Sequence, residues 1–215
     1  LRNSYYNYLI LHDGKKRSSL ISLFLKYGRI IKTNNNPKIS YIESIKEIIS
    51  KLNHNFIESD LNILKNRDYN LSEYTNSNFI LFHFDEKWIY NDYISEYTNI
   101  EPSKNDFISF INLLLSVSNK KLVITTGVKC PKVLNDLTEN DFGPNVKIFK
   151  KLNFLKLENI ISKCNLLISC HGSVSHIAAA HNIKQIDVIE RKKSNIYLKW
   201  TKHFRNYSSV YRIKF

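Results

Sequence analysis

The stretch from Asn165 to Ala180, NLLISCHGSVSHIAAA, restricts the fold more than any other part of the chain. Leu166, Leu167 and Ile168 run into small and polar residues from Ser169 to Ser175, and then into Ala178, Ala179 and Ala180. A short apolar run closed by Gly172 and followed by good helix formers predicts a buried parallel strand, a tight turn and a helix. Such a turn presents backbone N–H groups at a helix N-terminus, beside the hydroxyls of Ser173 and Ser175. That geometry suits an anion, phosphate above all.

The same alternation recurs along the chain. Near the start, Tyr8–His12 reads as a strand, Asp13-Gly14-Lys15 as a turn, and the next segment as a helix with Leu20, Ile21, Phe24 and Leu25 on one face and Gly28 near its stop. Arg29-Ile30-Ile31 predicts a second strand, and Ser40 to Leu52 a helix with Ile42, Ile45, Ile48 and Ile49 inward. After a polar stretch, Phe79–Phe84 is an apolar run followed by Asp85-Glu86-Lys87-Trp88. Ser103 with Asp106 three residues on is close to a capping box, and Phe107, Phe110, Ile111 and Leu114 follow at helical spacing. Strand and helix patterns then alternate: 122–126, 131–137, 146–149, 155–162, the opening motif, and 185–189, with an aromatic-rich helix near 195–204 as the last element.

This order predicts an α/β protein with a parallel sheet covered on both faces. Ligands of such sheets lie beyond the carboxyl ends of the strands, where His83–Lys87, Thr125–Lys129 and Cys170–His176 all fall. The expected organisation is a partial N-terminal domain over 1–64, a linker over 65–78, a second domain over 79–190, and a helix and tail over 191–215. The chain opens on Leu1 in mid-pattern, which reads as the start of a fragment.

Composition narrows the functional classes. With 43% hydrophobic and 24% charged residues in 215, a folded protein is expected rather than a disordered one. The net charge of +13 favours an acidic partner, although the basic residues are scattered, and drift toward Lys and Asn accounts for the excess as well. Three cysteines without CxxC spacing argue against a disulfide framework or a structural zinc site and fit a reducing, cytoplasmic setting. No apolar run approaches the ~20 residues that span a bilayer.

Three places together resemble glycosyltransferase family nine, the lipopolysaccharide heptosyltransferases. The first is His171-Gly172-Ser173-Val174-Ser175-His176-Ile177-Ala178-Ala179-Ala180, where the family has Asp-Ser/Thr-Gly-Pro-x-His-x-Ala-Ala-Ala. The second is Asp85-Glu86-Lys87-Trp88, and the third Asp13-Gly14-Lys15-Lys16-Arg17-Ser18, where the family has Gln-Gly-x-x-Arg/Lys-Ser. The resemblance implies a GT-B-like fold of two Rossmann-like, doubly wound halves, the N-terminal one incomplete. It implies inverting, metal-independent transfer of a sugar, heptose in the family, from a nucleotide-diphosphate donor to a lipopolysaccharide or other cell-surface glycan. The family's general base belongs to a Gly-Asp loop upstream of anything in this sequence.

On that reading the donor site comprises Lys87, Thr126, Gly127, His171, Gly172, Ser173, Val174, Ser175 and His176, and the acceptor side Asp13, Lys15 and Arg17. Departure of a nucleoside diphosphate builds negative charge on phosphate, and fixed N–H donors and cations there lower the barrier. Lys87 supplies the point charge, Gly172 unobstructed amides, and Ser173 and Ser175 hydroxyls. No Asp-x-Asp motif is present, and no cofactor is expected beyond the nucleotide-sugar substrate.

Several residues keep two readings. His171 binds phosphate when protonated or orients the turn. His176 contacts phosphate or sugar, or is a core histidine. Thr126-Gly127 approaches the nucleoside or is plain strand-to-helix geometry. Lys15-Lys16-Arg17 grips an anionic acceptor or is a solvated helix start. Trp88, Trp200 and Phe204 read as core. The expected partners are a nucleotide-sugar donor and an anionic glycan or glycolipid at the inner face of the cytoplasmic membrane. The alternatives are a basic nucleic-acid-binding protein, for which no motif is found, and a nucleotide-sugar epimerase or hydrolase on the same fold.

Overall fold

The computed structural model describes residues 4–12, 15–33, 39–55, 57, 78–89 and 100–213. The chain divides into two units, Leu1–Leu61 with Leu198–His203, and Asn62–Tyr197 with Phe204–Phe215. The linker expected over 65–78 lies outside the described residues apart from Asn78.

In the first unit, β1 (Tyr5–Leu11) and β2 (Lys26–Lys32) pair in parallel, with Leu9 opposite Ile30 and Leu11 opposite Lys32. Helix α1 (Lys16–Ser22) connects them and α2 (Tyr41–Lys51) follows. The start of α2 is fixed by a reciprocal cap: Ser40 Oγ accepts the Glu43 N–H at 3.3 Å, and the Glu43 carboxylate accepts the Ser40 N–H at 2.7 Å. Gly28 is not at a helix stop. Helix α1 ends at Ser22, and Gly28 lies within β2, where a Cβ would press on the Tyr5 hydroxyl and the Asn7 carbonyl. The apolar residues from Leu20 to Ile31 satisfy both periods, and parallel pairing with β1 draws the later ones into a strand.

The second unit contains β3 (Phe79–His83), α3 (Lys104–Ser118), β4 (Lys121–Thr125), α4 (Lys132–Asn135), β5 (Val146–Phe149), α5 (Phe154–Lys163), β6 (Leu166–Cys170), α6 (Ser173–Ala180) and β7 (Lys184–Ile189). Helix α7 (Ser194–Thr201) begins in this unit, and β8 (Tyr207–Tyr211) ends the sheet. The six strands run in the order β5-β4-β3-β6-β7-β8, and every pairing is parallel. The molecule is therefore α/β. Strand β8, paired with β7 from Gln185–Tyr207 to Ile189–Tyr211, lies beyond the helix expected as the last element.

The core explains why β3 reads as an unbroken apolar run rather than an alternating one. Ile80 and Phe82 pack on one face with Phe107 and Ile111 of α3 and Leu134 of α4. Phe79 and Leu81 pack on the other with Ile160 and Ile161 of α5 and Ile177 and Ala178 of α6. A central parallel strand buried on both faces has no side that needs polar residues. Helix α3 starts where the spacing predicts, with Ser103 Oγ accepting the Asp106 N–H at 3.2 Å, and stops at Asn119 in a left-handed conformation. Among the described residues no helix is long and apolar enough to cross a membrane.

Leu81 is wholly enclosed at the middle of β3. Leu81→Ala is expected to lower the unfolding free energy by about 2–5 kcal/mol through lost burial and the cavity left behind, measured as a shift of the urea midpoint at unchanged slope.

Candidate functional site

Strand β3 has β4 on one side and β6 on the other, so the chain leaves these strands in diverging directions at their carboxyl ends. In an open parallel sheet this reversal of strand order opens a crevice. Its walls here are the segments after β3, β4 and β6, and each is braced by buried polar groups.

The β3 wall is built on Asp85. Its Oδ1 accepts the Lys87 backbone N–H at 3.1 Å, which starts a single 3-10 turn at Glu86–Trp88. Its Oδ2 lies 3.0 Å from Lys87 Nζ and 3.5 Å from His83 Nε2. The other ring nitrogen of His83, Nδ1, lies 2.9 Å from Thr125 Oγ1 at the end of β4, and the Trp88 indole N–H donates to the His83 carbonyl at 3.0 Å. Burial alone would raise the Asp85 carboxyl. The hydrogen bond and charge of His83, with the Lys87 ammonium, outweigh it and hold the group below the usual carboxylate range.

The β6 wall is built on Asp187, which sits on β7 opposite Ser169 and is closed off from solvent. Asp187 Oδ1 accepts from Ser169 Oγ at 3.1 Å and from Ser175 Oγ at 2.9 Å, and its Oδ2 lies 2.7 Å from His171 Nδ1. Ser175 Oγ in turn accepts the Gly172 N–H at 3.2 Å, which cinches the turn at the start of α6. The two walls meet at Gly172. A Cβ there would overlap the Lys87 ammonium. The φ of Gly172 is 178°, which any residue adopts, so the glycine serves the close approach and not the backbone angle.

Of the residues singled out in the sequence, Lys87, Gly172 and Ser173 come together at this rim. Ser173 and His176 face outward, whereas Val174 and Ser175 turn into the protein on the same helix. The Ser175 hydroxyl is therefore engaged with Asp187. The outward donors of the turn are the hydroxyl and the first-turn amide of Ser173, the amide having no intrahelical acceptor. The His171 ring stands edge-on between His176, at 5.4 Å, and Tyr197, at 5.0 Å, and His176 meets Phe204 at 5.2 Å.

Thr126 Oγ1 accepts the Lys151 N–H at 2.9 Å and donates to the Gly127 carbonyl at 3.2 Å, so it joins the exits of β4 and β5. A Cβ on Gly127 would overlap the Glu86 carboxylate. Lys129 lines a separate groove of 570 Å³ with Lys132 and Lys151. In the first unit Lys15 and Arg17 are exposed at the start of α1, and Asp13 lies outside the described residues.

Sequence reasoning passed over Asp187 and Arg212. An acid in the middle of the apolar strand Gln185–Ile189 was a signal, because a buried carboxylate requires partners. Arg212, in the tail, carried none.

No family model and no curated protein matches the chain. Solved structures do. The heptosyltransferase WaaC of E. coli, solved with ADP, aligns with a TM-score of 0.63 over 99% of this chain and 68% of its own, at 12% identity. A glycosyl transferase family 9 protein from Veillonella parvula DSM 2008 aligns with a TM-score of 0.64 over 99% of this chain and 65% of its own, at 10% identity. The E. coli ADP-heptose lps heptosyltransferase II aligns with a TM-score of 0.58 over 97% and 69%, at 11% identity. The chain shares the fold of these GT-B-type proteins and spans about two thirds of their length.

Asp85 gives the site a pH signature. Its folded pKa is lowered, so its stabilising contribution is present above the unfolded value of about 4 and is lost as pH falls through the folded value. Asp85→Asn is expected to be less stable than the parent at about pH 7, and the gap should close as pH is taken toward about 2. Denaturant midpoints across that range measure it.

Proposed function

We propose that this protein is a glycosyltransferase that moves a sugar from a nucleoside-diphosphate donor to an anionic glycan acceptor. Transfer proceeds by a single inverting displacement without a metal. The observation that carries the reading is the apposition of the Lys87 ammonium and the Gly172 turn at the point where the strand order reverses. The shared fold of the heptosyltransferases and the ADP bound in WaaC support it. Heptose is the sugar that this likeness favours.

The chemistry follows from what the rim offers. The acceptor hydroxyl attacks the anomeric carbon, the bond from that carbon to the phosphate oxygen breaks, and the electron pair stays on the departing diphosphate. Lys87 and the Ser173 amide face that growing charge from fixed positions, so little reorganisation is needed as it develops. Asp85, 3.0 Å away and buried, holds the ammonium in place. The Ser173 hydroxyl donates to a phosphate oxygen, whereas the Ser175 hydroxyl shapes the turn from inside. The proton of the acceptor hydroxyl leaves to a base that we assign to no residue of this chain. We assign the acceptor side to Asp13, Lys15 and Arg17, which belong to the first unit.

Calorimetry with ADP, GDP, UDP and CDP tests the donor site. Lys87→Ala should weaken the preferred nucleoside diphosphate by about tenfold or more, the worth of a hydrogen bond to a charged group. Gly172→Ala should do the same by displacing the ammonium. Both variants should keep the parent's circular dichroism. Unchanged affinity in both would overturn the site.

A labelled nucleotide sugar incubated with acceptor separates transfer from release of free sugar or formation of its epimer. Turnover should persist in a chelator. A salt-sensitive preference for random oligonucleotide over nucleoside diphosphate would instead favour nucleic-acid binding.

A further inference from the structure

We infer that Arg212 is a positioning residue for the diphosphate site, tying the segment that carries Lys87 to the strand end that leads into Gly172; this rests on the donor site proposed above. Arg212 follows β8 and is buried, and its backbone N–H donates to the Ile189 carbonyl at 2.9 Å. From there its guanidinium reaches back to the switch point. One nitrogen, Nη2, donates to the Lys87 carbonyl, 125 residues away in sequence. The other, Nη1, lies 3.7 Å from Cys170 Sγ, at the end of β6.

The two contacts fall on the two walls of the crevice. Lys87 is thereby held at three points: its carbonyl by Arg212, its N–H by Asp85 Oδ1 and its ammonium by Asp85 Oδ2. Asp85 alone fixes Lys87 relative to its own strand. The bridge to Cys170, two residues before Gly172, ties it also to the strand end that leads into the turn it faces. The fork of a guanidinium donates in two directions from one rigid plane, whereas a lysine ammonium at the end of a flexible stem does not. Burial pushes the Cys170 thiol up, so it stays neutral and accepts rather than competing as an anion. The strand that brings Arg212 into place, β8, thus couples the tail of the chain to the rim.

Arg212→Lys keeps the charge and removes the fork. The probes are whichever of ADP, GDP, UDP or CDP the parent binds best and the matching nucleoside monophosphate, measured by calorimetry on the whole chain. Affinity for the diphosphate should fall about tenfold in Arg212→Lys while affinity for the monophosphate stays within about twofold, so that the preference for a second phosphate collapses. In Arg212→Ala, added ethylguanidinium should restore part of that preference. Equal weakening of both nucleotides would mark a purely structural role and overturn the inference, as would unchanged diphosphate affinity in folded Arg212→Lys. A parent that binds none of the four diphosphates would instead defeat the donor-site reading on which the inference stands.

Discussion

A carboxylate removed from water has to be met by donors on every side, and Asp187 draws two of its three side-chain donors from the turn that it supports. Ser169 lies beside it on the neighbouring strand, and His171 and Ser175 come from the residues that leave that strand. Losing any one of them leaves a buried charge undercompensated, which costs several times what a surface contact is worth. The turn at Gly172 is therefore fixed from beneath. Its shape does not depend on a ligand filling it. Asp85 performs the parallel service on β3, gathering the Lys87 amide, the Lys87 ammonium and the His83 ring.

Two buried acids, one on each side of the strand reversal, thus present a lysine and a helix start to the same point. The acids lie underneath, each met by donors, and the Lys87 ammonium lies against the turn above them. A phosphate bound there, as proposed, would meet the Lys87 ammonium and the Ser173 amide and hydroxyl already oriented, which is the condition under which fixed dipoles act most strongly on a developing charge. The same arrangement explains why small residues stand at Gly127 and Gly172. Each has an acidic or basic side chain of the β3 segment, Glu86 or Lys87, lying where its own Cβ would be. Both glycines are spacers between neighbouring strand ends, and neither has a φ that demands glycine.

Much of this was legible in the sequence because it depends on local pattern. The run Phe79–Phe84 announced a strand buried on both faces, Ser103 and Asp106 announced a helix start, and NLLISCHGSVSHIAAA announced strand, turn and helix. What could not be read depends on distance along the chain. Nothing local in Gln185–Ile189 says that its acid meets hydroxyls 12 and 18 residues earlier. Strand β8, reading YSSVY, is largely exposed and lacks the apolar run that betrays a central strand. Gly28 misled for another reason, since the apolar residues around it fit a helix and a strand equally well, and only pairing with β1 decides. The two serines of the turn look equivalent in sequence. They separate because Val174, Ser175, Ile177 and Ala178 form the buried stripe of α6 and Ser173 does not.

His171 shows how the turn is held through an intervening ring. The motif that this stretch resembles carries an acid at that position, and here an imidazole stands there with the acid one strand over, on β7. The carboxylate still reaches the turn, through the His171 ring and the Ser175 hydroxyl, from behind the wall and not from within it. The acid is thereby kept off the surface, and the ring has Tyr197 and His176 packed edge-on against it. At identities of 10–12% to the heptosyltransferases and family 9 protein with which the chain shares its fold, few side chains coincide. In this chain the requirement is narrower and more physical: at the reversal of strand order, a buried acid holds the turn and a small residue lets the lysine come close.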